Sequence, residues 1–290
     1  MSDSTPLASA SGDLPYAGTF VTLPAADKRG ELVIEYGWIN SGLARAPLAV
    51  FLHEGLGSVA MWRDWPQSLC DQLGMRGLVY SRPGYGRSTP RPHGVRLPRD
   101  FMATQACEVL PALLDALGID AAQREQMWLV GHSDGGSIAL LYASAFPRAL
   151  GAAVVIAPHV FVEDVSIASI AQTTSAYEQG DLRQRLARYH ADVDSAFYGW
   201  HDIWLDPDFR SWNIVDTLRT IRCPLLAIQG NDDHYGTMSQ IEQIADAVPH
   251  AQLVKLDGCG HSPHRDAPQA LNDAIAAFVE ALRARRGGEA

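Results

Sequence analysis

The sequence predicts an α/β fold: a mostly parallel eight-stranded sheet flanked by helices, with a helical segment inserted after the sixth strand. Three observations predict it. Short apolar, β-branched runs alternate with longer segments whose apolar residues recur at three- and four-residue spacing, the rhythm of parallel strands joined by crossover helices. Pro, Gly or Asp stands at several segment ends, where helix boundaries need them. One long stretch interrupts the rhythm with no convincing strand of its own. At 290 residues, 47% apolar and 19% charged, the chain can bury the core of one large domain plus an insertion and lies far from disordered composition.

In chain order, runs 18–23 and 32–38 follow each other without an intervening helix, as a hairpin would. The other expected strands are 48–52, 77–80, 127–130, 152–156, 225–229 and 252–256. Helices are expected over 59–73, 99–117, 135–146, 239–247 and 269–283. The interruption, 159–220, carries helical patches at 167–177 and 182–190 and the aromatic residues Phe197, Tyr198, Trp200, Trp204, Phe209 and Trp212. Insertions of this length are usually functional or disordered, and the aromatic content argues against disorder. The chain therefore divides into a core, 1–158 with 221–290, and a helical lid, 159–220. About half of the aromatics are expected to pack the lid itself. Others, with Tyr198, Trp200 and Trp204 as candidates, would face a pocket beneath.

With 23 Lys and Arg against 33 Asp and Glu the formal charge is -10, which disfavours nucleic acid and anionic lipid surfaces as partners. Cys70, Cys107, Cys223 and Cys259 are scattered without a CxxC pair, so buried thiols in a reduced compartment are expected rather than disulfides or a zinc site. The first eighteen residues lack a basic start and an apolar run, so a frayed N-terminus and no secretory leader are expected there. No stretch approaches the ~20 apolar residues of a membrane helix. A cytoplasmic protein is the expectation, with its oligomeric state open.

The strongest local pattern is Gly131-His132-Ser133-Asp134-Gly135 followed by Gly136, directly after the strand 127–130 and before a helix. In that context G-x-S-x-G is a sharp strand-to-helix turn that exposes its serine at a helix N-terminus. The glycines let the chain approach itself where side chains would collide. A serine hydroxyl is a weak nucleophile until a base takes its proton, and that base needs a group to fix its tautomer. Two later strand ends supply candidates. Gly230-Asn231-Asp232-Asp233-His234 follows 225–229, and Gly258-Cys259-Gly260-His261-Ser262-Pro263-His264 follows 252–256, both where α/β sheets gather functional groups.

These motifs, with His53-Glu54-Gly55-Leu56-Gly57 after the third strand and Ser81-Arg82-Pro83-Gly84-Tyr85-Gly86-Arg87-Ser88 after the fourth, resemble those of the α/β-hydrolase fold superfamily. The likeness is to its capped serine esterases and proline-iminopeptidase-like members, and it covers nearly the whole chain. It implies Ser133 as nucleophile, His261 as general base and acid, and Asp233 as the orienting carboxylate. Asp232 is the rival, but the family spacing G-x-x-D from Gly230 lands on Asp233. His264 competes less well than His261, which forms the Gly-His pair after the strand; a metal site from these two histidines lacks a third ligand. The resemblance further implies an oxyanion hole from the backbone N–H groups of Gly55 and Asp134.

Glu54 stands where many relatives have glycine. It would either meet a cationic substrate group in the pocket or point outward to a basic partner, the second being preferred. Asp134 reads as a solvated charge complementing the helix dipole or, as in some relatives that hydrolyse amino-acid esters, as a recognition group for an amine. His53 is expected to support its loop. The nucleophile type points to acyl-serine chemistry without metal or cofactor. The expected substrate is a small to medium, fairly hydrophobic carboxylic ester. Amide, aminoacyl-ester, thioester and C–C hydrolysis, perhydrolysis, and small-molecule binding without turnover remain alternatives.

Overall fold

The computed structural model describes residues 18–24 and 30–288, so the expected frayed N-terminus lies outside the described residues. Strands β1 (Thr19–Leu23), β2 (Leu32–Ile39), β3 (Leu48–Leu52), β4 (Arg76–Tyr80), β5 (Trp128–His132), β6 (Ala152–Ile156), β7 (Leu225–Gly230) and β8 (Gln252–Leu256) form one sheet in the order β1-β2-β4-β3-β5-β6-β7-β8. Only β1–β2 and β2–β4 pair antiparallel; the other neighbours are parallel. Strands β3, β5, β6 and β7 are buried along their full length. This explains their unbroken apolar runs, because helices cover both faces of a parallel sheet.

The helices are α1 (Trp65–Leu73), α2 (Phe101–Thr104), α3 (Leu110–Ala116), α4 (Ala121–Gln126), α5 (Asp134–Ala145), α6 (Asp164–Glu178), α7 (Leu182–Leu186), α8 (Val193–Trp204), α9 (Ser239–Ala247), α10 (Pro263–Asp266) and α11 (Pro268–Gly288). Two expected helices are interrupted. A π-turn over Gln105–Val109 joins α2 to α3, just before Pro111, which has no N–H to continue a regular ladder. The expected 59–73 helix is a 3₁₀ turn, Ala60–Trp62, and then α1, separated where Arg63 adopts φ +55°. Helix α4 was not expected, although Asp120 and Gln123 form a capping box at its start that the sequence spells.

The parallel order gathers the C-terminal ends of β3, β5, β7 and β8 along one edge, and the loops that leave them meet there. Between β6 and β7 the chain forms α6, α7 and α8 and two 3₁₀ turns, Pro207–Ser211 and Val215–Thr220. Of the cysteines, Cys70, Cys223 and Cys259 are buried, whereas Cys107 is exposed and departs from expectation. No helix among the described residues is long and apolar enough to cross a membrane.

Candidate active site

Ser133 sits at the bend between β5 and α5 with φ +53° and ψ −120°, a left-handed region that costs a non-glycine residue energy. Close packing enforces it. A Cβ at Gly131 would lie 2.2 Å from the Gly135 carbonyl oxygen, and one at Gly135 would lie 2.0 Å from that of Leu52 in β3. The first turn of α5 is thereby pressed onto β3, and the Ser133 hydroxyl is carried to the end of the sheet.

His261, on the loop after β8, places Nε2 3.0 Å from Ser133 Oγ and Nδ1 2.9 Å from each carboxylate oxygen of Asp233. With Nδ1–H donating to Asp233, Nε2 is left to accept the serine proton. Asp233 also accepts from the Tyr235 N–H at 2.8 Å and from Gln229 Nε2 at 3.2 Å. Burial alone would raise its pKa, but the hydrogen bond and charge of His261, with the Tyr235 N–H, hold it below the usual value. Burial pushes the pKa of His261 down, against the hydrogen bond and charge of Asp233. His132 donates through Nε2 to the His261 carbonyl at 2.7 Å, tying that loop to the end of β5. Asp232 is exposed and turned away, its N–H bonded to the Cys259 carbonyl. His264 is buried against Trp62, Trp65 and His132.

On the other side of Ser133, the Glu54 carbonyl accepts from the Gly57 N–H at 3.0 Å, from His53 Nδ1 at 2.7 Å and from the Arg82 guanidinium at 2.9 Å. His53 Nε2 in turn accepts the Arg82 N–H at 3.0 Å, which fixes its tautomer and gives it the supporting role expected. In a trans peptide the C=O and the following N–H point opposite ways, so the Gly55 N–H faces away from these donors. Among the described residues neither the Gly55 nor the Asp134 N–H has an acceptor, and both residues line the cleft that Ser133 and His261 share.

That cleft has a volume of about 120 Å³, and Leu56, Ile170, Trp200 and Trp204 give it apolar walls. Trp200 of α8 lies directly on Gly55, where a Cβ would meet its indole at 2.2 Å. Tyr198 is a correction: it packs half-buried against Tyr177 and Phe197 and does not line the cleft. Asp134 departs from its solvated reading, since it is 1% exposed, accepts from Trp204 Nε1 at 3.2 Å and lies 3.7 Å from the equally buried Arg82. Burial raises its pKa, and Arg82 and Trp204 offset part of that rise. Glu54 lines the cleft and also meets basic partners, His132 at 3.6 Å and Arg265 at 3.6 Å. Burial opposes its charge, but these neighbours hold its pKa well below the carboxylate range.

His159 and Arg82 are among the site residues that had no role assigned from sequence. His159 lines the cleft and stands at the end of β6 in Ala157-Pro158-His159, the same strand-end signal that marked Asp233 and His261. Arg82 lies inside the 81–88 turn motif, but nothing local shows that its side chain would reach the Glu54 carbonyl. No cluster of three or more metal-ligating side chains occurs among the described residues.

A parallel sheet whose strand ends bring a serine at a sharp turn within hydrogen-bond reach of an acid-supported imidazole defines the hydrolase class of α/β proteins. The chain belongs to the alpha/beta hydrolase family, whose sequence profile matches residues 49–274. It is 30% identical over 276 residues to the polyketide synthase ThaQ of Burkholderia thailandensis, aligned over 85% of this chain but spanning only 12% of that protein. It is 28% identical to a putative carbamate hydrolase, RutD, of a Caulobacter species, covering 84% of this chain and 95% of that one. A solved structure from a study of carboxylesterases of the thaumarchaeon Nitrososphaera gargenis superposes with a TM-score of 0.69 at 21% identity, over 92% of this chain and 100% of that one.

Proposed function

We propose that this protein is a serine hydrolase that cleaves a small to medium, fairly hydrophobic carboxylic ester through an acyl-serine intermediate. The observation that carries the reading is one imidazole shared between a serine hydroxyl at 3.0 Å and a carboxylate at 2.9 Å. As Ser133 Oγ attacks the ester carbonyl carbon, its proton passes to His261 Nε2, and Asp233 stabilises the imidazolium. The charge that develops on the carbonyl oxygen is received by the N–H groups of Gly55 and Asp134. Collapse breaks the ester C–O bond, and His261 returns the proton to the leaving alcohol. Water then repeats the sequence on the acyl-serine and releases the acid.

The apolar side chains from α6 and α8 support a short hydrocarbon group beside the scissile bond, with 159–220 acting as the lid over it. Asp134 Oδ2 has no hydrogen-bond donor among the described residues, which favours an aminoacyl ester as second reading. The charge of Arg82 at 3.7 Å already opposes Asp134, so the uncharged ester is preferred. A carbamate, as the RutD name suggests, would meet the same groups.

A fluorophosphonate probe is expected to label the wild-type protein and to fail on Ser133→Ala with its fold intact by circular dichroism. Labelling that persists in the variant would refute the assignment. A panel of p-nitrophenyl alkanoates, an aminoacyl ester and a carbamate then ranks the substrates by kcat/KM; a labelled protein inert to all esters would refute esterase activity.

A further inference from the structure

We propose that an arginine-lined groove beside the catalytic cleft binds an oxyanion, phosphate or carboxylate, on the part of the substrate that extends out of the cleft. The inference rests on the ester-hydrolase reading for its substrate, but not for its binding site. The groove has a volume of about 280 Å³, and its lining includes Arg63, Arg185, Arg188 and Arg265 beside the apolar Leu182 and Leu186, with no acidic side chain among the described residues that line it. This stands against the formal charge of -10. Gathering like charges costs free energy that a bound anion offsets, and a guanidinium fork matches the two oxygens of a carboxylate or phosphate edge.

Two of the cations already have carboxylate partners. Arg185 lies 3.3 Å from Asp181, and Arg265 lies 3.6 Å from Glu54. Arg63 and Arg188 have no carboxylate within 4.0 Å among the described residues, and both are exposed. Arg63 is also the residue at φ +55° that separates the 3₁₀ turn from α1.

Bonded residues connect the groove to the cleft. Arg265 donates to the Met61 carbonyl at 3.2 Å, its backbone N–H bonds to the Ser262 carbonyl at 2.8 Å, and Ser262 and Glu54 both line the cleft. Opposite, His190 follows the groove residue Tyr189 and donates through Nε2 to the carbonyl of Leu56, another cleft residue, at 2.9 Å. His190 Nδ1 accepts the Gly86 N–H at 2.9 Å, which fixes that tautomer. On this proposal a substrate arm that leaves Ser133 past Glu54 reaches the arginines.

The binding test uses Ser133→Ala protein, so that it reads the groove whether or not the chain hydrolyses esters. Phenyl phosphate and benzoate are titrated in separate calorimetric experiments. At least one is expected to bind saturably, with affinity falling about tenfold when Arg63→Gln and Arg188→Gln are added, the scale of two exposed charge pairs. Binding of one anion alone identifies its class as the recognised group. No saturable binding of either, or binding that the double substitution leaves unchanged, overturns the groove. The kinetic test compares p-nitrophenyl hemiesters from succinate to sebacate with p-nitrophenyl butyrate on the serine-containing protein. At the best chain length, the ratio of kcat/KM values is expected to fall about tenfold in the double variant; an unchanged ratio overturns the link to the substrate. Loss of anion binding in the double variant of a protein that cleaves no ester would uphold the groove and refute only the proposed reaction.

Discussion

Arg82 shows how a buried cation can act on a reaction it does not touch. Its guanidinium shares the Glu54 carbonyl with His53 and Gly57, and that peptide plane carries the proposed Gly55 donor on its other side. Pulling on the carbonyl orients the N–H and strengthens it as a donor. Arg82→Met is expected to lower kcat about 10–100-fold, somewhat less than loss of a whole oxyanion donor, while KM changes little. Because it also strips Asp134 of its cation, the double variant Arg82→Met/Asp134→Asn should recover stability without recovering kcat; recovery of both would assign Arg82 a purely structural role. His261 carries a second prediction. Its pKa is pushed below the ordinary 6.5 by burial, against Asp233, so the acid limb of kcat/KM should have its midpoint below pH 6.5. Removing the charge in Asp233→Asn should cut kcat by about 10⁴, as steady-state rates across pH would show.

At the scale of elements, α8 decides what fits above the serine. The half-buried Asp192 caps the helix by accepting the Ser195 N–H at 2.8 Å, and the turns that follow deliver Trp200 to Gly55 and Trp204 to Asp134. Trp200→Leu removes the larger part of an aromatic wall from the cleft. The kcat/KM ratio of octanoate to acetate esters should rise about tenfold, the value of about two further buried methylenes. A chain-length profile that stays fixed would place the acyl group elsewhere. Helix α10 holds a contrasting case, because both ring nitrogens of His264 lack hydrogen-bond partners among the described residues while the ring packs on Trp62 and Trp65. An apolar ring of similar shape avoids that unsatisfied cost, so His264→Phe should leave the melting temperature unchanged or raise it.

Across the whole molecule, the buried histidines set how stability responds to acid. Burial, the leading cause in each, pushes the pKa of His159 and His264 down to about 3 and that of His190 to about 4. Each is therefore neutral in the folded state at pH values where the unfolded chain, titrating near ~6.5, binds a proton. Their contribution is complete above pH 6.5 and is lost as pH falls toward those depressed values. Well inside that window each lowers stability by about 1.4 kcal/mol per pH unit. Chemical denaturation between pH 7 and 4.5 should show the decline, and His264→Phe should reduce its slope by one proton's worth.

Much of this was legible in the chain because it depends on neighbours in sequence. The alternation of apolar runs fixed the strands to within a residue or two, and three glycines around Ser133 imposed the bend whatever lay beyond it. The strand-end positions of Asp233 and His261 followed from the same local rule. What failed to show locally was set by side chains meeting from distant segments. Tyr198 and Trp200 are two positions apart on one helix, yet only Trp200 reaches the cleft, because the seating of α8 chooses the face. Asp134 looked solvated until Trp204 and Arg82, from 70 residues further along and from 52 residues earlier, closed over it. Spacing in the chain determined which chemical groups this protein carries and at which strand ends they stand. Only tertiary packing decided which were buried, which were paired and which faced the cleft, since desolvation and hydrogen-bond partnership are properties of the assembled surroundings.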